Sequence, residues 1–306
     1  MRYVYLCLGI LSIFIITIFT FKEDTVYYYY AKYNVKKEAK VKENKYFYED
    51  NFYYVDNYKD LEIHNKKELY DAVYYIVNSG TIHTKRYFDI DYKDFEKDYN
   101  ELFLNEEKLN IINNFVHPYN SFISIEANLK GYVMEIKVNH NKTYNEDNIK
   151  TIDNKVDSLI KELVKDKMNE EEKIKVIHDY IVENTTYDED FCVLDNQKEC
   201  TTTSKYASDN AYGVLKDHYG ICSGYTDLIA IFLNKLNIVN YRITNDTHTW
   251  NAVNINNNWY HLDATWDDPI GEQDTLSDTY FLITTKEDSQ LEESHTFNKE
   301  IFVELN

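Results

Sequence analysis

Two alternating stretches, His248 to Ile255 and Trp259 to Trp266, are separated by only three asparagines, which leaves this part of the chain little choice. Alternation with period two marks strands, and so short a connection makes them neighbours in one antiparallel hairpin. The turn then sets the register. A two-residue turn at Asn256 and Asn257 pairs Ile255 with Asn258 and places Trp250 opposite Asp263. His248 falls on the same face, one diagonal step from Asp263 and within side-chain reach. A three-residue turn would put the two on opposite faces. Val253, Ile255, Tyr260, Leu262 and Ala264 share the other face and suit a core. Asn251 falls among them, with no partner suggested by the sequence.

Upstream, Gly220, Ile221, Cys222, Ser223, Gly224 and Tyr225 lead into Leu228, Ile229, Ile231, Phe232, Leu233 and Leu236. This segment is apolar nearly all round, so it reads as a buried helix beginning at Cys222. A sulfur at that position meets the positive end of the helix dipole and several unpaired backbone N–H groups. The flanking glycines read as room for a substrate backbone. Taken alone, such a cysteine is more often just a small core residue. Joined to the hairpin it becomes more, because Cys222, His248 and Asp263 supply a nucleophile, a base and a group that holds the base in one tautomer.

The strings GICSGYTDL, HTWNAV and NWYHLDATWDDP, with EKIKVIHDYIVENTTYD before them, resemble the transglutaminase-like superfamily of papain-type folds over about residues 169–285. Three motifs occur in the right order and spacing. The resemblance implies that Cys222 is the nucleophile, His248 the base and Asp263 its orienting acid. Thr249 and Asn257 stand where the family more often has Ala and Gly, changes that spare the chemistry. Tyr187 lies near the place where some relatives carry an aromatic that assists the oxyanion, although a plain loop tyrosine reads equally well. The backbone N–H of Cys222 is the firmer oxyanion donor.

Other residues read more simply. His261 shares the face of Asp263 but is not set toward Cys222, so it is assigned to packing; His218 is assigned to a helix end. Trp250, Trp259 and Trp266 read as core or cleft wall. Asp188, Glu189 and Asp190, and the pair Asp267 and Asp268, lack the spacing of a calcium loop and read as a solvated face. No cofactor or metal is called for.

The expected fold class is α+β, a papain/transglutaminase-like core in which the Cys222 helix packs on an antiparallel sheet, plus a small mixed α/β accessory domain. The expected divisions are 1–21, a membrane anchor or signal segment; 22–65, a tether; 66–145, the accessory domain; and 146–306, the catalytic domain. Within 66–145, helices are expected from Lys66 and from Glu106 to Phe115, then a hairpin of Ser121–Leu129 and Tyr132–Val138. Helices from Asp147 to about Lys167 and after Asn169 lead into the catalytic part, followed by a short helix near Tyr212 to Lys216 and strands across 241–266.

Tyr3 to Phe21 is uncharged, apolar and about long enough to cross a bilayer. Small residues before a cleavage point are lacking, so an uncleaved anchor with the domain on the extracellular face is expected, or a secreted domain if the segment is removed. In that compartment Cys192 and Cys200 would form a bridge and leave Cys222 free; in a reducing one both stay thiols. A formal net charge of -20 without a basic stripe disfavours nucleic acid. The expected partner is a protein or peptide substrate, such as a surface protein or wall peptide. Together these features point to thiol-dependent acyl transfer on an amide or peptide carbonyl. The alternative is a binding or scaffolding module that keeps the fold without catalysis.

Overall fold

The computed structural model describes residues 23–191, 205–268 and 277–306. The apolar segment Tyr3 to Phe21, and the cysteines Cys7, Cys192 and Cys200, lie outside those residues. Among the described residues, no helix is long and apolar enough to cross a membrane. Contacts divide the chain into two compact units, interleaved along the sequence.

The first unit gathers the described residues up to Lys45 with Asn57–Leu109 and Phe122–His140. Within the stretch 22–65, expected as a tether, the described residues from Glu23 on include a helix and a short strand. Helix α1 (Glu23–Glu38) buries Tyr28, Ala31 and Val35, three residues recurring on one helical face, against Tyr87. Next come β1 (Glu62–Ile63), α2 (Lys66–Asn78), β2 (His83–Phe88), α3 (Phe95–Phe103) and α4 (Glu106–Ile112), whose last three residues already belong to the second unit. The hairpin β3 (Phe122–Lys130) and β4 (Val133–His140) turns at Gly131, whose φ of 58° favours glycine. The strand order is β1-β2-β4-β3. Neither β2 nor α3 was expected, since their mixed polar sequences carry no clean period.

The second unit comprises Tyr46–Asp56, Asn110–Ser121 and Asn141–Asn306. Two amphipathic helices, α5 (Glu146–Leu163) and α6 (Glu170–Asn184), open its main part. A capping box starts α6: Asn169 accepts from the Glu172 amide, and Glu172 accepts from that of Asn169. Strand β5 (Thr186–Tyr187) pairs in parallel with β6 (Tyr219–Gly220), and α7 (Ala211–Asp217) lies between them in sequence. Helix α8 (Cys222–Lys235) has ten buried residues. It packs on β8 of a three-stranded antiparallel sheet, β7 (Asn240–Thr244), β8 (Thr249–Ile255) and β9 (Asn258–Leu262). The short helix α9 (Thr285–Asp288) follows.

The hairpin register is the one expected for a two-residue turn. Ile255 pairs with Asn258, and Asn256 and Asn257 both have positive φ, 51° and 64°, as a primed turn requires. Strand β9 ends at Leu262, however, and 264–267 form turns where strand was expected. Asn251 finds its partner in α8: its Nδ2 donates to the Thr226 carbonyl at 3.1 Å. Val253, Ile255, Leu262 and Ala264 join the helices in one core. The other face of the sheet is covered too: Trp250, Ala252 and His261 are all buried, and the rings of His295 and Phe297 lie against Trp250 and His261.

The glycines beside Cys222 serve packing. A methyl on Gly220 would press on the Tyr225 ring at 2.7 Å, and one on Gly224 would strike the Ser208 carbonyl. That close approach holds the 207–209 segment on the start of α8, where Ile221 N donates to Ser208 O at 2.9 Å and Ser223 Oγ to Asp209 O at 3.0 Å. Gly224→Ala is therefore expected to destabilise by about 1–3 kcal/mol, despite alanine's better helix propensity, because a backbone carbonyl cannot yield as a side chain can. A urea midpoint equal to that of the parent would contradict this.

Candidate active site

The three residues singled out in the sequence occupy three element ends. Cys222 is the first residue of α8, and its thiol is free and half-buried. No side chain caps that helix end, since its N-cap is Ile221. His248 immediately precedes β8; the Asn245 side chain accepts from its backbone N at 2.8 Å, and Asn245 N donates to its carbonyl at 3.0 Å. Asp263 immediately follows β9. Its Oδ1 accepts the amides of Thr265 at 2.9 Å and Trp266 at 3.3 Å, which turns the chain and fixes the carboxylate.

His248 and Asp263 meet as the register requires, Nε2 to Oδ2 at 2.5 Å. With Nε2 engaged, Nδ1 is the ring nitrogen left to meet the Cys222 sulfur. Burial alone would make the His248 imidazole harder to protonate. The bond to Asp263 and the interaction with Cys222 outweigh burial, and its pKa is raised to about 9. Burial likewise opposes charge on Asp263, yet the bonds from His248 and His295 hold it well below the usual carboxylate range. Trp266 stacks on His248 with centroids 4.8 Å apart and planes 9° from parallel, so the ring is held in plane as well as by its hydrogen bond.

Tyr187 is also brought to the site. It sits opposite Gly220 in the β5–β6 pair, two residues before Cys222, and burial together with the Cys222 charge raises its pKa. His261 is not part of the reactive cluster. Buried, it accepts from Trp250 Nε1 at 2.9 Å and meets Thr285 Oγ1 at 3.0 Å, and burial with the nearby His295 lowers its pKa to about 4. His218 ends α7 in the left-handed region, with Nδ1 on the Asn184 carbonyl at 2.9 Å.

The acidic residues assigned to a solvated face divide. Glu189 and Asp190 are exposed, but Asp188 and Asp267 are buried acceptors. Asp188 takes the Ser208 hydroxyl. Asp267 takes the Tyr280 amide at 2.9 Å and Ser277 Oγ at 3.0 Å, and His178 Nε2 lies 3.2 Å from its second oxygen without hydrogen-bond alignment. Asp268 receives the Tyr225 hydroxyl. Asp188 and Asp267 thus hold loops rather than face water.

His178, Asp179 and Asp278 converge closely enough for a cation, as do Glu62, His64 and Asp89 in the first unit. Lysines already stand there. Lys175 reaches Asp179 at 2.6 Å and Asp278 at 3.0 Å, and Lys32 reaches Glu62 at 3.0 Å.

Two residues that sequence reasoning missed complete the cluster. His295 is buried behind Asp263, its Nε2 on Asp263 Oδ2 at 3.0 Å and its Nδ1 on Asp288 Oδ1 at 2.6 Å. Neither lies in an alternating or periodic segment, so a single sequence holds no spacing cue for them.

Residues 154–291 match the family model described as a transglutaminase-like domain. Among solved structures the chain is similar to a "TGase" crystal structure at 17% identity and a TM-score of 0.35, covering 52% of this chain and 48% of that one. A second is described as a candidate cysteine protease from Cytophaga hutchinsonii, at 17% identity and a TM-score of 0.27, covering 47% of this chain and 62% of the other. The chain thus spans about half of the first structure and about three fifths of the second. No curated protein gives a significant match. Both structural likenesses are remote, and the family assignment rests on the matched model and the motifs within it. Residues 154–291 are therefore a transglutaminase-like domain, with the α+β, papain-like core expected of that superfamily.

Proposed function

We propose that the chain is a thiol-dependent acyl-transfer enzyme acting on amide or peptide carbonyls. The observation that carries this reading is one imidazole, His248, bound by buried Asp263 at 2.5 Å, with Cys222 at the uncapped start of α8 among the groups that raise its pKa. In the first step Cys222 Sγ forms a bond to the carbonyl carbon and the C–N bond breaks. His248 delivers the proton to the departing amine, leaving a thioester on Cys222. In the second step water or another amine attacks that thioester. His248 takes the proton from the attacker, and Sγ is released. The backbone N–H of Cys222, at the uncapped start of α8, is the donor for the developing oxyanion, with Tyr187 as a second. Asp263 keeps Nε2–H directed to itself, so that Nδ1 serves the sulfur.

Stopped-flow exposure to a p-nitrophenyl ester tests this directly. One equivalent of p-nitrophenolate per protein should appear in a burst, and a primary amine should accelerate the slower phase that follows if it serves as acceptor. Absence of any burst would overturn the proposal.

The site of action in this proposal is the cell surface. The uncharged segment Tyr3 to Phe21 supports it, by giving a membrane anchor that leaves the domain outside. Protein partners at the surface or in the wall are the substrate class that follows. Protease added to intact cells should then degrade the domain. Recovery of the full-length chain as a soluble cytosolic protein would contradict it.

A further inference from the structure

The Asp263 carboxylate is shared. Its Oδ2 accepts from His248 at 2.5 Å and from His295 at 3.0 Å, while Oδ1 is taken by two backbone amides. His295 in turn meets Asp288 Oδ1 at 2.6 Å through Nδ1, and Asp288 Oδ2 accepts the His295 backbone N at 3.0 Å. The His295 and Asp288 side chains, like that of Asp263, are almost wholly buried. Each nitrogen of the His295 ring therefore faces a carboxylate oxygen at direct hydrogen-bond distance.

A neutral imidazole has one N–H and one lone pair, so one of these contacts would set lone pair against carboxylate. With both nitrogens protonated, both contacts become charge-assisted hydrogen bonds. The ring stacks on Trp266 at 4.2 Å and on Trp250 at 4.3 Å, faces that suit a cation. The other titratable groups around it are His248 with its centroid 5.9 Å away, His261 at 5.6 Å and Tyr280 at 5.5 Å. Burial works against protonation of His295, but the hydrogen bonds to Asp263 and Asp288 outweigh it.

We propose that His295, held by Asp288, is a positioning residue for the acyl-transfer reaction, a buried imidazolium that fixes the Asp263 carboxylate and offsets part of its charge. The proposal rests on the reading of Cys222, His248 and Asp263 given above. It extends that triad to a line of five side chains: Cys222, His248, Asp263, His295 and Asp288. Two of its consequences differ from those of simple packing. The second hydrogen bond stops Oδ2 from following His248 when the imidazole moves its proton toward substrate. The positive charge limits how tightly Asp263 holds that proton, so that His248 can still give it up to a leaving amine. His295 lies beyond residue 291, where the family match ends, so the matched model does not carry this assignment.

His295→Gln keeps a donor toward Asp263 but removes the charge. Loss of a unit charge about 6 Å from His248, at an effective dielectric near 20, moves nearby ionisations upward by roughly one to two pH units. Both limbs of the pH profile of the p-nitrophenolate burst should therefore shift to higher pH, with the burst still present. Asp288→Asn should shift them in the same direction by less, because it removes a negative charge while costing His295 its proton. Histidine ring NMR of the parent should show two slowly exchanging N–H protons on His295 at neutral pH, and one in Asp288→Asn. A parent protein without a burst would refute the triad itself. A burst in the parent whose profile is superimposable on those of both variants would refute the role of His295 and leave the triad standing. Should His295→Gln fail to fold by circular dichroism, Asp288→Asn and the parent NMR spectrum decide the question.

Discussion

Cys222→Ala should lose the p-nitrophenolate burst entirely and fall to the background rate, a loss of at least about 10⁴-fold, with stability close to that of the parent. The sulfur is the nucleophile that His248 and Asp263 are placed to serve, and alanine offers nothing in its place. Losses of this kind reach about 10⁶-fold where nucleophile and base act as a unit. Stability should change little because Cys222 is half-buried, at the open end of α8, and outside the apolar residues that hold the helix in the core. Replacing it removes little packed volume. A burst of unchanged size in Cys222→Ala would mean that another residue carries the acyl group.

Asp263→Asn should cost about 10³- to 10⁴-fold in the burst rate and also weaken the fold. In the parent, Oδ1 accepts two backbone amides and Oδ2 two imidazoles, so all the Asp263 bonds described run inward to the carboxylate. A carboxamide offers one oxygen and one NH₂. If the oxygen stays on the amides of Thr265 and Trp266, the NH₂ faces His248 Nε2 and selects the tautomer with Nδ1–H toward the sulfur, which cannot act as a base. If it turns over, the NH₂ meets two backbone N–H groups instead. Either way His295 loses one of its counter-charges while still buried, and breaking such a buried set by removing one partner costs about 3–5 kcal/mol. Because the triad works as a unit, Asp263→Asn added to Cys222→Ala should leave the burst no worse than Cys222→Ala alone. Full activity in Asp263→Asn would show that His248 is held by something else.

How much of this was legible in the sequence varies with the kind of signal. The hairpin was, because only Asn256 and Asn257 bridge β8 and β9, and a two-residue turn admits one register. That register is what brings His248 to Asp263. The start of α8 was legible for a similar reason, since an apolar run of helical length leaves little else for Cys222 to begin. The packing of Gly220 and Gly224 was not, because the ring and the carbonyl that press on them come from chain that the sequence alone does not place. Asp188 and Asp267 were misread for a related reason. An acidic run resembles a solvated face, and only the fold shows that Ser208 and Ser277 have come to meet it. His295 and Asp288 were invisible because their partner, Asp263, is more than twenty residues away and the intervening chain has no period. The same holds for Phe52 and Phe115, which pack on Tyr241 from segments expected outside the catalytic part of the chain.

The location of the acyl group is the most direct test of the thiol mechanism. Mass spectrometry of the purified chain after brief exposure to the ester, followed by peptide mapping, should find one acyl group on the peptide containing Cys222, removable by hydroxylamine as a thioester is. An acyl group confined to lysines, or a Cys222 peptide of unchanged mass while the ester is consumed, would contradict it.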